Sequence, residues 1–181
     1  MDVKTRATIE DLYQVAGKAE LVHGEIVEMP PAGEDPGRAS LYVATSLLDY
    51  EKRTHSGRAF GDGVGFRVNL PHRESLSPDA AYHIASRTGM RFAEGAPVFA
   101  VEVRSENDYG PAAERAMKDK RDDYFACGTL VVWDVDLLSE DVVKVYRASD
   151  PENPTIYRRG DMAEAEPAVP GWCMAVDDLF G

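Results

Sequence analysis

Apolar and polar residues alternate over Ala19-Glu20-Leu21-Val22-His23-Gly24-Glu25-Ile26-Val27-Glu28, and the alternation turns back at His23-Gly24. This predicts two short strands joined by a tight hairpin. Ahead of them, Thr8 stands three residues before Asp11, a capping-box spacing, and predicts a helix from Ile9 to Ala16 ended by Gly17. Pro30, Pro31 and Gly33 then break the chain. From Gly37 to Thr54, Leu41, Val43, Ala44, Leu47 and Leu48 recur at helical intervals, with Gly57 closing the helix. Residues 58–70 read as strand pieces punctuated by Gly61, Gly63 and Gly65; the spacing is wrong for a dinucleotide-binding fingerprint and no helix follows. Residues 71–77 predict a polar loop, 79–84 a short strand, and 85–94 a loop or helical turn.

The second half is more strongly patterned. Pro97–Val103 is a nearly continuous apolar run, as in a strand buried on both faces at a sheet centre. A helical pattern follows from Pro111 to Cys127, and Thr129–Val135 predicts a second buried strand. Val142–Arg147 and Thr155–Arg158 predict later strands of a meander. Pro170-Gly171-Trp172 opens a closing segment whose Val176, Leu179 and Phe180 are expected to cap the core. Strand, helix and strand over 97–135 make a βαβ-like unit, while the earlier strands read as antiparallel. The expected class is mixed α/β, a central mixed β-sheet flanked by helices, in a single domain over residues 1–181.

Composition narrows the function. The chain has 181 residues, 44% hydrophobic and 29% charged, as in ordinary globular proteins. No apolar run is long enough to span a membrane, and Met1-Asp2-Val3-Lys4-Thr5-Arg6 does not open a signal peptide, so a cytoplasmic protein is expected. Cys127 and Cys173 lie far apart among apolar neighbours and read as buried, reduced thiols. The histidines His23, His55, His72 and His83 show no ligand spacing. A net charge of −12 argues against broad non-specific nucleic-acid binding. Two basic clusters, Lys52, Arg53, His55 and Arg58, and Arg115, Lys118 and Arg121, read first as solvated helix faces.

Three residues break the local pattern. Glu102 lies in the apolar strand, sharing a face with Val98, Ala100 and Arg104, and a partly buried carboxylate there needs a cation or a hydrogen-bond donor. An ion pair with Arg104 or a lysine would be the plain structural answer. Lys120 interrupts the core-facing stripe Ala113, Met117, Lys120, Tyr124, Cys127 of the following helix. It either snorkels to water or points at the Glu102 face. Asp79 follows Pro78 at a strand start, a weaker signal, and Glu20 is weaker still. Together, Asp79, Glu102 and Lys120 suggest a metal-dependent phosphodiesterase: two hard oxygen ligands suited to Mg²⁺ or Mn²⁺, and a lysine for the water or the transition state.

The segments Ala19–Val27, Ser77-Pro78-Asp79-Ala80, Val101-Glu102-Val103-Arg104-Ser105, Lys120 with Tyr124 and Gly128, and Pro170-Gly171-Trp172 occur in the order found in the Uma2 family, formerly DUF820. On these motifs the chain resembles that family over nearly its whole length. The resemblance implies a restriction-endonuclease-like fold of the PD-(D/E)XK class, DNA as substrate and a homodimer. It implies Asp79, Glu102 and Val103 as metal-ligand positions, Lys120 as a catalytic lysine moved from strand to helix, and Glu20 as an extra N-terminal acid. Arg104 departs from the pattern: it stands where the class has its strand lysine. Ser105-Glu106-Asn107-Asp108 and Pro36-Gly37 are further departures. The leading expectation is a Mg²⁺-dependent DNA endonuclease. The alternative is a catalytically inactive nuclease-fold protein acting as a binding or regulatory module.

Overall fold

The computed structural model of the protein describes residues 6–181. The stretch read as lacking a signal peptide, residues 1–5, lies outside the described residues. Helix α1 (Ile9–Leu12) is shorter than predicted, and Thr8 and Asp11 close a reciprocal capping box at its start. The hairpin is as expected: β1 (Ala19–Val22) pairs antiparallel with β2 (Glu25–Glu28). Its two turn residues, His23 and Gly24, both have positive φ, 53° and 74°. That is the backbone of a type I′ turn, whose twist matches the strands. α2 (Glu34–Thr54) starts earlier than predicted, with Pro36 tolerated in its first turn. It buries Ala39, Val43, Leu47 and Tyr50, whereas Leu41 and Leu48 face outward. Gly57 does not close it; His55, in the left-handed region, does. Gly57 serves close approach instead, since a Cβ there would stand 2.6 Å from the Tyr82 ring.

The remaining strands are β3 (Arg58–Phe60), β4 (Phe66–Arg67), β5 (Ser75–Leu76), β6 (Ala80–His83), β7 (Ala93–Glu94) and β8 (Phe99–Val103). After helix α3 (Pro111–Ala126) come β9 (Val131–Val135), β10 (Val143–Arg147), β11 (Asp150–Tyr157), β12 (Met162–Glu164) and β13 (Cys173–Ala175), with a 3₁₀ turn at Val176–Leu179. The central sheet has the order β11-β10-β9-β8-β6-β3. Only β8 and β9 are parallel in it, joined across α3, so the predicted βαβ unit forms. The other pairs are antiparallel. β11, at one edge, carries Pro151 and Pro154.

The period-2 reading of β8 separates the two faces of the sheet. Phe99, Val101 and Val103 join the core under α2, where Trp133 and Trp172 also pack. Ala100 joins Tyr124 and Val132 on the α3 side. Val176 and Leu179 are buried as expected, but Phe180 is exposed and lies beneath Arg159. The polar loop at 71–77 is more structured than predicted: Leu76 is fully buried in β5, and Arg73 bridges to Val22 beside the hairpin. Both cysteines are free thiols as expected, but the expected burial fails: Cys127 is half-buried and Cys173 exposed, because the strand holding Cys173 turns that side chain away from Met174's core face. Among the described residues, no helix is long and apolar enough to cross a membrane.

Candidate active site

β8 and α3 meet where the sequence breaks its own patterns. Pro111 starts α3 behind Gly110, Glu114 lies in its first turn, and Cys127 and Gly128 end it. The helix presents Lys120 and Tyr124 to Glu102 of β8, and Asp123 beside them to Arg73 and His72. Lys120 does not snorkel: its side chain is 17% exposed, with Nζ 2.9 Å from Glu20 Oε1 and 2.9 Å from Glu102 Oε1. Burial alone would favour the neutral amine. The carboxylates of Glu102 and Glu20 outweigh it and hold the ammonium well above its usual range.

Glu102 accepts a second hydrogen bond at Oε1, from the Tyr124 hydroxyl at 2.6 Å. Its side chain remains 27% exposed to a cleft of about 720 Å³ that Asp79 and Lys120 also line. Burial pushes its carboxyl above the ordinary value; Lys120 pulls the other way, and the neighbouring Asp79 charge adds to the rise. Tyr124 is fully buried, and burial beside Glu102 and Glu20 raises its hydroxyl far above the normal phenol range. It is a fixed hydrogen-bond donor.

Asp79 is placed by three contacts. Its N–H donates to Val101 O at 2.9 Å, Val103 N–H donates to its Oδ2 at 2.7 Å, and Lys18 Nζ donates to its Oδ1 at 2.5 Å. Lys18 also pairs with Asp62 at 2.7 Å. Burial works against its charge, but Asp79 and then Glu102 hold it above its normal value. One ammonium thus senses both carboxylates.

Glu20 is buried and both its oxygens are taken. Oε1 accepts from Ser77 N–H at 2.8 Å and from Lys120; Oε2 accepts from Arg73 Nη1 at 2.6 Å. Burial raises its carboxyl, yet Lys120 and Arg73 win and keep it below the ordinary value. Arg73 Nε continues to Asp123 Oδ2 at 2.6 Å, and Asp123 Oδ1 meets His72 Nε2 at 2.7 Å. Glu20, Asp79, Glu102 and Lys120 therefore line one cleft; the residue pattern points to the last three and the family resemblance to Glu20.

Residues 8–177 match the family model described as "Uma2: Putative restriction endonuclease". The chain belongs to the Uma2 family. Among solved structures, it is similar to the 1.96 Å crystal structure of "a putative nuclease belonging to DUF820" from Anabaena variabilis ATCC 29413. The TM-score is 0.73 and the identity 17%, with 96% of this chain and 97% of that one covered. This likeness shows a shared mixed α/β fold, a central mixed sheet flanked by helices. No curated protein matches the chain.

The departure of this Uma2 chain at Arg104 now has a structural account. Arg104 does not pair with Glu102. It makes a two-pronged contact with Asp134 of β9, 2.8 Å at each prong, and reaches Glu114 of α3. Its cation is locked between strand and helix by these two carboxylates. Sequence reasoning missed Lys18, Asp62, Arg73 and Asp123. Only Asp123 left a usable signal, three residues beyond Lys120 on the same helix face. The two basic clusters are largely engaged: Lys118 pairs with Asp122 and Glu152, Arg121 lies over Tyr146, and Arg58 donates to Ala85 O.

Proposed function

We propose that the protein is a divalent-metal-dependent endonuclease of the PD-(D/E)XK type that hydrolyses DNA phosphodiester bonds. The observation that carries this reading is Lys120, held between Glu20 and Glu102 in the cleft that Asp79 also lines. Among the described residues no group of three or more His, Cys, Asp or Glu is arranged around a metal position. Mg²⁺, however, is commonly held by one or two carboxylates, with water and phosphate completing the shell. The donor set fits that pattern. Asp79 and Glu102 offer hard oxygens to the cleft, and Val103, whose N–H already orients Asp79, is the adjoining backbone position in the proposed ligand set. When bound there, Mg²⁺ or Mn²⁺ supplies positive charge against the phosphate and acidifies water.

The chain's own residues supply the rest. Lys120 is held protonated, so it is a donor to charge developing on the phosphate rather than a base. Tyr124 fixes Glu102 through Oε1. Glu20, with both oxygens committed, positions Lys120 and is not a free ligand. By family resemblance the proposal extends to a homodimer, and from the sequence's lack of a signal-peptide pattern or an apolar run long enough to span a membrane, to a cytoplasmic one. One observation favours the inactive alternative: Lys18 already occupies Asp79 Oδ1. Plasmid cleavage with Mg²⁺ or Mn²⁺ separates the two readings. The wild type is expected to cut, and Asp79→Ala and Lys120→Ala are expected to be inert. Equal cutting by all three would assign the activity to a contaminant.

A further inference from the structure

We infer that the cleft receives an unstacked base of single-stranded DNA, seated on an apolar wall beside the carboxylates; the inference rests on the nuclease reading above. Two observations carry it. The first is charge. The cations lining the cleft are already committed: Lys18 to Asp62 and Asp79, Arg73 to Glu20 and Asp123, Arg104 to Asp134 and Glu114, Lys120 to Glu20 and Glu102, while Arg121 lies over Tyr146. Duplex binding draws on many phosphate contacts from free cations, and this cleft, in a chain of net charge −12, offers few.

The second is the rest of the wall. Met29, Pro30 and Pro31, from the segment after β2, and Ala113, Ala116 and Met117, from the first half of α3, line the same cleft as Asp79 and Glu102. An apolar surface next to a phosphate-cleaving centre matches the one apolar part of a nucleotide, the face of its base. In a duplex that face is stacked away; in a single strand it is free to bind. The volume, about 720 Å³, lies in the range of pockets that enclose small ligands. Met117 adds an adaptable side chain suited to any base.

The test is binding of fluorescent oligonucleotides to the full chain in Ca²⁺, alongside hydrolysis of bis(p-nitrophenyl) phosphate in Mn²⁺. A single strand is expected to bind about tenfold or more tighter than the duplex of the same sequence, with a salt slope of about −1 to −2. A strand of abasic sites, which keeps the phosphates, is expected to lose that advantage and needs no protein variant. Ala116→Glu, at an exposed helix position, puts a charge on the apolar wall and should weaken single-strand binding by a similar factor, with its melting temperature as the check on folding. Equal affinity for single strand, abasic strand and duplex would overturn the inference even if the small diester is hydrolysed. A single-strand preference without diester hydrolysis would instead overturn the nuclease reading and uphold the base site.

Discussion

Glu20 and Glu102 flank the same ammonium but titrate in opposite directions, and that contrast is testable. Glu20 is held below its ordinary value, so it binds protons less readily folded than unfolded. Its contribution is fully present above the normal glutamate range and is lost as pH falls through the folded value. Glu20→Gln should cost on the order of 3 kcal/mol at neutral pH, since it leaves two buried cations short of a partner. Chemical denaturation should show the deficit shrinking on acidification. Glu102 runs the other way. Its raised carboxyl favours the protonated form in the fold, so stability falls as pH rises through the folded value. Glu102→Gln should match or exceed the wild-type melting temperature at pH 8, lose that advantage in acid, and fail to cleave DNA. A loss of stability at pH 8 would show that pairing with Lys120 outweighs burial.

At the scale of elements, the hairpin and α3 carry the site. β1 brings Glu20, and its turn places a histidine in the left-handed region at φ 53°. Asparagine is the better residue there, so His23→Asn should stabilise the protein by about 0.5 kcal/mol, read as a rise in denaturation midpoint. Helix α3 shows how much was legible beforehand. Counting in threes and fours placed Lys120 and Tyr124 on the core side, because helical period fixes facing without knowledge of partners. Asp123 escaped the count because a charged residue beside the stripe reads as solvated, and its partners Arg73 and His72 come from a distant segment. Arg73 and Lys18 sit in irregular segments with no period to read. Their partners lie far along the chain, and only the tertiary fold brings them close. Arg104 was visible as an oddity, yet its resolution depended on β9 lying parallel to β8 with Asp134 in reach.

At the scale of the whole molecule, the cleft collects carboxylates in a protein that is already strongly acidic. A cation that binds the folded state alone must stabilise it by mass action. Mg²⁺ well above its dissociation constant should raise the melting temperature by about 5 °C. Asp79→Asn should abolish the shift. Because Lys18 is the resident partner of Asp79, Lys18→Met should enlarge the Mg²⁺-induced shift. An unchanged shift in Lys18→Met would mean that the lysine and the metal do not share Asp79.

The prolines of β11 bear on assembly. β11 is the last strand at its side of the central sheet, and Pro151 and Pro154 have no N–H to offer a newcomer. The opposite border, β3, is three residues long. Neither rim is a template on which a second chain could extend the sheet. If copies of this protein meet, the borders of the central sheet give them little backbone to share, and partly folded chains have little to zip together there.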